Sequence, residues 1–335
     1  MGFEVHRGTN ISHWLSQSKA RGEARIQWFQ EDDVKRLADR GFDHLRIPID
    51  EEQMWTEDSR RQEEAFQLLN NALDWCDRAG LRVIVDLHIL RSHYFNAAEE
   101  PALYRDPAAL EQFAVLWRDL STFLKGHSTD KVAYEMLNEA VARNHQDWNR
   151  VSGFIFNILR DLEPERTIVL GSNRWNKTNT YPFLDVPEDN YLLLTFHYYE
   201  PMFITHYTAS WNDYGNYKGR VQYPGSPVPE DQSEELNRLY SDAVERNRYF
   251  DREVMKQEIM IACEVAQRTN NPIYCGEFGV ILATPLEVRQ AWYSDIISIF
   301  DELGIGWANW DYKGGFGLLQ RNTLADTGIS QILLK

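Results

Sequence analysis

Cationic residues are in short supply: 35 Lys and Arg stand against 51 Asp and Glu, a formal net charge of −16 at pH 7. Nucleic acid and anionic membrane surfaces repel such a chain, so neither is expected as a partner. Cysteine is scarcer still. Cys76, Cys263 and Cys275 form an odd, widely spaced set, which gives neither a disulfide framework nor a zinc site. The first two fall in helical patterns and the third in a strand, and all read as buried small hydrophobes. No apolar run reaches membrane-spanning length. No charged segment followed by an apolar stretch opens the chain, so no signal peptide is read. The sequence fits a mature secreted or periplasmic form, with a cytoplasmic one left open. A Pro/Ser linker, a low-complexity run and a block of like charge are also missing, so residues 1–335 read as one domain. No strand is followed by a G-x-G-x-x-G turn, which argues against a dinucleotide-binding sheet.

Aromatic residues, by contrast, make up 13% of the chain. Several stand beside turn residues: Trp14, Trp55, Trp175, Trp211 and Trp310. Stacking platforms for sugar rings and ordinary loop anchors have this same signature, and for any one Trp the two readings weigh equally.

Apolar strand patterns and amphipathic helix patterns alternate along the chain. Strands are read over 7–11, 44–50, 81–88, 132–139, 167–173, 191–199, 272–275 and 305–312. The clearest helix runs from Glu63 to Ala79, with Ala65, Leu68, Leu69, Ala72, Leu73 and Cys76 as its apolar stripe and Gly80 as its stop. Further helices are read over 31–40, 107–124, 148–162, 230–267 and 285–303. Residues 201–229 form a long loop rich in aromatics, Gly and Pro, of a length that is usually functional. Eight strands alternating with helices at βα spacing predict a (β/α)8 barrel.

In such a barrel the strand ends converge on one face, where the chemistry sits. Here each holds a polar or aromatic group: Asn10, Arg46, His88, Asn138 with Glu139, Asn173, His197 with Tyr199, Glu277, and Trp310. Singly, Arg46 suits an interior ion pair and each His a satisfied core residue. Together the set points to a site. Two strand-end glutamates far apart in sequence, Glu139 and Glu277, are what two-carboxylate glycoside hydrolysis needs.

These residues resemble glycoside hydrolase family 5, the cellulase family, from about Arg7 to Phe316. The pattern matches at Arg46 in Leu-Arg-Ile-Pro, His88 in Asp-Leu-His, Asn138-Glu139, His197 and Tyr199 in Phe-His-Tyr-Tyr, Glu277 in Gly-Glu-Phe-Gly, and Trp310. One departure is Ala140, where the family usually has Pro. The resemblance implies a retaining hydrolase of a β-linked glucan, with Glu139 as general acid/base, Glu277 as nucleophile, and no metal or other cofactor. Asn138 would bind the sugar 2-hydroxyl, and Tyr199 and Arg46 would hold Glu277. His88 and His197 would bind substrate or support the network, and Trp310 would floor the subsite at the scissile bond. Asn10, Trp175 and Trp211 are supporting candidates. Lys313, in a Lys-Gly-Gly turn, suits a sugar contact or, faintly, a phosphate site. The segment Tyr198 to His206, followed by Trp211, resembles bacterial members that cut β-1,4-glucan internally. An endo-β-1,4-glucanase acting as a monomer is the favoured reading. β-Mannanase and exo-β-1,3-glucanase are alternatives on the same scaffold, and a non-catalytic carbohydrate-binding barrel is the alternative of another class.

Overall fold

The computed structural model describes residues 2–335. Eight parallel strands close a barrel in chain order: β1 (Arg7–Asn10), β2 (His44–Asp50), β3 (Arg82–Ile89), β4 (Val132–Glu135), β5 (Ile168–Gly171), β6 (Leu192–Tyr198), β7 (Ile273–Phe278) and β8 (Gly306–Asn309). β8 returns to pair with β1 through Trp307 and Arg7, which completes the (β/α)8 barrel read from the sequence. The long strands are buried on both faces, their polar side chains included.

The helices stop where the sequence marks them. Glu63–Arg78 packs the predicted stripe inward and ends at Gly80, whose φ of 77° is a left-handed value that glycine takes without strain. Pro107–Leu124 opens with Pro at its first position, while the Asp106 carboxylate accepts the Ala108 N–H at 2.9 Å. Between β5 and β6, where no helix is read from the sequence, there are only the short turns Asn173–Asn176 and Thr178–Phe183. One expectation needs correction. The helix read over 230–267 is broken into Ser233–Leu239, Ala243–Arg246 and Arg252–Thr269. The break has a tertiary cause. Tyr240 turns to an extended backbone so that its ring packs 5.5 Å from Phe203 and its hydroxyl reaches the Asp213 carbonyl at 2.8 Å. Asp251 then caps a fresh start by accepting the Val254 N–H.

Side chains inside the barrel lie in layers two residues apart along each strand. The lowest is apolar: Ile84, Ala133, Val169, Leu193, Tyr274 and Ala308, closed below by Phe3 and Val5. One step higher the character inverts to Arg46, Asp86, Glu135 and Thr195, all buried. Gly276 belongs to this layer. A Cβ there would sit 2.6 Å from the Thr195 hydroxyl and 3.3 Å from the His197 ring, so only glycine leaves them room.

Residues 201–251 lie outside the barrel strands, with Ile204, Tyr223 and Phe250 joining the main core. They carry a second small cluster of Phe203, Tyr217, Val221, Val228, Leu236, Tyr240 and Ala243. Cys76 and Cys275 are buried as expected, whereas Cys263 is only half-buried. Among the described residues no helix is long and apolar enough to cross a membrane.

Candidate active site

A cleft of about 1000 Å³ lies over the C-terminal ends of the strands. Glu139 and Glu277 line it from the ends of β4 and β7, and both are almost fully buried. An oxygen of each carboxyl and Nδ1 of His197 all lie within 4.8 Å of one another.

The two carboxyls have different neighbours. Glu277 Oε1 accepts from Arg46 Nη1 at 2.6 Å and its Oε2 from the Tyr199 hydroxyl at 2.9 Å. Glu139 has no such cation. Its Oε1 lies 2.9 Å from His197 Nδ1. Nε2 of His197 faces the Asn176 amide nitrogen at 3.4 Å, a donor, so the ring proton belongs on Nδ1 and points at Glu139. That leaves the other oxygen of Glu139 to carry a proton. Burial pushes Glu139 well above the ordinary carboxylate range, and the negative charge of Glu277 pushes it further. Burial raises Glu277 as well, but the Arg46 guanidinium opposes it. Burial also holds His197 well below the usual imidazole value, hence neutral.

Arg46 does not line the cleft; it supports the site from below. It grips Glu135 with Nε and Nη2 at 2.7 and 2.9 Å, and Nη2 also reaches Asp86 at 3.0 Å. Its Nη1 donates to Asn10 Oδ1 and its Nη2 to Asn138 Oδ1, both at 2.9 Å. Asn10 is tied in turn to the Gly276 carbonyl at 2.9 Å, next to Glu277. The amide nitrogen of Asn138 and Nε2 of His88 are buried on the cleft side with no partner among the described residues. A buried donor and a buried acceptor left open at a cleft suit the hydroxyls of a sugar.

Trp310 stacks on His88 at 5.7 Å and 6°. Trp175 and Trp211 line the cleft and are 38% and 57% exposed. Trp14 and Trp55 are instead fully buried anchors, each with its indole N–H bonded. The backbone is wound left-handed at Glu139 (φ 45°) and at Arg174, Trp175 and Asn176 in a row (φ 56°, 61° and 53°). Such values are costly outside glycine and gather at functional sites. The Trp175 N–H to the Ala140 carbonyl (3.1 Å) and its indole N–H to the Phe95 carbonyl (2.9 Å) hold that turn.

Two strand-end candidates face elsewhere. Asn173 exchanges bonds with the backbone of Ala142 and so braces the loop after Glu139. Lys313 is a correction: it is buried against Asp33 at 3.3 Å and lies over the rings of Trp28 and Tyr312, away from the cleft. The sequence reading missed Asp86, Glu135 and the Lys177–Glu200 ion pair, which spans 3.2 Å at the cleft. A signal existed for the first two. Asp86 lies two residues before His88, on the same barrel face, and Glu135 extends the inward series begun by Ala133.

The model of the cellulase family, glycosyl hydrolase family 5, matches residues 7–315. The chain belongs to this family. Endoglucanase C of Acetivibrio thermocellus is 30% identical over 311 residues, covering 91% of this chain and 90% of that protein. Cellodextrinase A of Ruminococcus flavefaciens is 30% identical over 303 residues, or 90% and 83% of the two chains. The crystal structure of endoglucanase Cel5A from the hyperthermophilic Thermotoga maritima shares the fold, with a TM-score of 0.78, 23% identity and coverage of 98% and 96%. The family is one of glycoside hydrolases, in keeping with a cleft built around two carboxyls.

Proposed function

We propose that this family 5 hydrolase is a retaining endo-β-1,4-glucanase in which Glu277 is the nucleophile and Glu139 the acid/base. One observation carries the reading: two buried carboxyls with oxygens within 4.8 Å, of which only Glu277 bonds the Arg46 guanidinium and the Tyr199 hydroxyl. Retaining enzymes keep this pair about 5–5.5 Å apart, and inverting ones leave room for a water at about 6.5–9.5 Å.

In the first step Glu277 attacks the anomeric carbon while Glu139 gives its proton to the departing glycosidic oxygen. The C–O bond to the leaving sugar breaks, and an ester to Glu277 forms. In the second step Glu139, now a carboxylate, takes a proton from water. That water attacks the same carbon, and Glu277 leaves. Asn138 Nδ2 donates to the sugar 2-hydroxyl, a bond that strengthens as positive charge develops. Trp310 supports the ring at the point of cleavage. No step calls for a metal, since Arg46 already supplies the positive charge beside Glu277.

The substrate assignment rests on the names of the two 30% identical relatives, an endoglucanase and a cellodextrinase, each matched over most of its length. The test is depolymerisation of carboxymethyl-cellulose, mannan and laminarin with sizing of the products. Internal cleavage of the first is expected, and faster turnover of mannan or laminarin overturns the substrate. Trapping with a 2-fluoro aryl glycoside and peptide mass mapping should label Glu277; label elsewhere, or inverted product by NMR, overturns the mechanism.

A further inference from the structure

The ring of His88 is fixed on every side but one. Its face lies parallel to Trp310, and the Phe95 ring meets it edge-on at 5.4 Å and 84°. Its Nδ1 is 2.6 Å from Asp86 Oδ2, and its Nε2, buried at the cleft, has no partner among the described residues. Asp86 sits two residues earlier on β3 with no exposure at all. The same Oδ2 lies 3.0 Å from Arg46 Nη2, an ion pair without a hydrogen bond.

Balancing Arg46 does not account for this carboxylate. Glu135 already grips that guanidinium with two oxygens, and Glu277 takes a further N–H. A third buried carboxylate on one cation is costly unless it bonds something else, and Asp86 Oδ1 has no partner. The bond to His88 is what remains. Both hydrogens of Arg46 Nη2 go to Glu135 and Asn138, so Asp86 Oδ2 needs its hydrogen bond from His88, which places the imidazole proton on Nδ1 and leaves Nε2 a bare acceptor.

Taking the glycosidase reading as its premise, we propose that Asp86 is a positioning residue. It fixes the Nδ1–H tautomer of His88, so that Nε2 can only accept a hydrogen bond from one hydroxyl of the sugar held against Trp310. The site then rejects a ring position that offers no donor there.

The test uses the full chain with ¹⁵N-labelled histidine at pH 8, above the value of about 7 to which burial raises Asp86. The expected His88 spectrum shows Nδ1 protonated and Nε2 unprotonated. Asp86→Ala should lose that single tautomer and lower kcat/KM on an aryl cellobioside about 10²-fold, the scale of a misplaced contact. Asp86→Asn keeps an acceptor oxygen, and should keep the tautomer and lose less activity. On a panel of mono-deoxy aryl cellobiosides, the wild-type to Asp86→Ala ratio should collapse for one deoxy position and persist for the others. A proton on Nε2 in the wild type overturns the proposal, as does an Asn variant equal to Ala in both readouts or a uniform ratio across the panel. The spectrum needs neither a folded Ala variant nor a substrate. A wild type that cleaves no β-glucoside but keeps the Nδ1–H tautomer therefore counts against the glycosidase reading, not against the Asp86–His88 bond.

Discussion

The barrel and the segment 201–251 answer different demands. Barrel side chains sit in repeating layers, and the groups around Glu139 and Glu277 are tied through Arg46 to four different strands, β1, β3, β4 and β7. The segment has no such lattice. Its short helices are held by a handful of aromatic contacts centred on Phe203, which meets Tyr214, Tyr217 and Tyr240 at 4.9, 5.8 and 5.5 Å. Bond-making groups need placement to a fraction of an ångström, which a closed barrel supplies. A wall that meets a long polymer needs surface, and an appended segment supplies that at small cost to the core.

The sharpest test of the barrel half is the nucleophile. Glu277→Gln keeps the shape and removes the attacking charge, so kcat on any glucoside should fall by at least about 10⁴-fold. Residual turnover above 1% of wild type, after exclusion of deamidation, would break the assignment. Glu139→Gln comes next. Loss of about 10³-fold is expected on cellulose oligomers, whose leaving groups need a proton. A dinitrophenyl cellobioside needs none, so its first step should largely survive. Equal losses on both substrates count against Glu139 as the acid.

The pH profile follows from the same environments. Activity should fall on the alkaline side as Glu139 loses its proton and on the acid side as Glu277 gains one. Because burial lifts Glu139 further, the limbs should not coincide. Glu139→Gln should abolish the alkaline limb on the activated substrate. Stability should move too. Burial raises Asp50, Asp86 and Glu135 to about 7, against about 4 in an unfolded chain. Their contribution is full below the unfolded value and lost as pH rises through about 7. Calorimetry should therefore give a lower Tm at pH 8 than at pH 5; a rising Tm would break this reading.

The difference between the two regions also decides what could be read from sequence. Strands buried on both faces, Gly80 as a helix stop, and polar groups recurring at strand ends are local signals repeated around the barrel, and each repetition supports the others. Arg46 was legible because a lone cation interrupts the apolar stretch Leu45 to Ile49 of a buried strand. Asp86 and Glu135 were not assigned roles, because their meaning lies in a cation on another strand. In the segment 201–251 nothing repeats. Residues 230–267 have helix-forming composition throughout, and what breaks them is Tyr240 seeking Phe203, a contact 37 residues away in sequence. Lys313 misled for the same reason: Asp33, its partner, is 280 residues distant.

Within the segment, Phe203→Ala should be the larger perturbation. It removes a ring at 1% exposure from the centre of the cluster, worth about 3–5 kcal/mol for a buried aromatic. Since the Phe203 cluster is separate from the main core, which holds the segment's Ile204, Tyr223 and Phe250, the loss should show as protease sensitivity and fast amide exchange around that cluster, with the barrel transition little changed. A matching drop in the global Tm would mean that the two regions fold as one.

Trp211→Ala is the smallest effect and the finest test. At 57% exposure its removal opens no cavity, so Tm should move little. Yet the ring is not loosely held: the Asn212 side chain accepts the Tyr214 N–H at 2.9 Å, and Tyr240 anchors the Asp213 carbonyl at 2.8 Å. Gly215 packs so closely that a Cβ would strike the Ala209 carbonyl oxygen at 2.0 Å. We infer that this exposed indole, on a pinned turn at the cleft wall, stacks on the C–H face of a sugar beyond the reacting one. KM for polymer should therefore rise about tenfold, ~1.4 kcal/mol, with kcat and the KM for a short aryl glycoside unchanged. Phe203→Ala, by unpinning the same turn, should raise the polymer KM in the same direction. If Trp211→Ala leaves the polymer KM unchanged, the segment does not act as a substrate wall. If short and long substrates suffer alike, Trp211 acts at the reacting sugar, and the division of labour between barrel and segment fails.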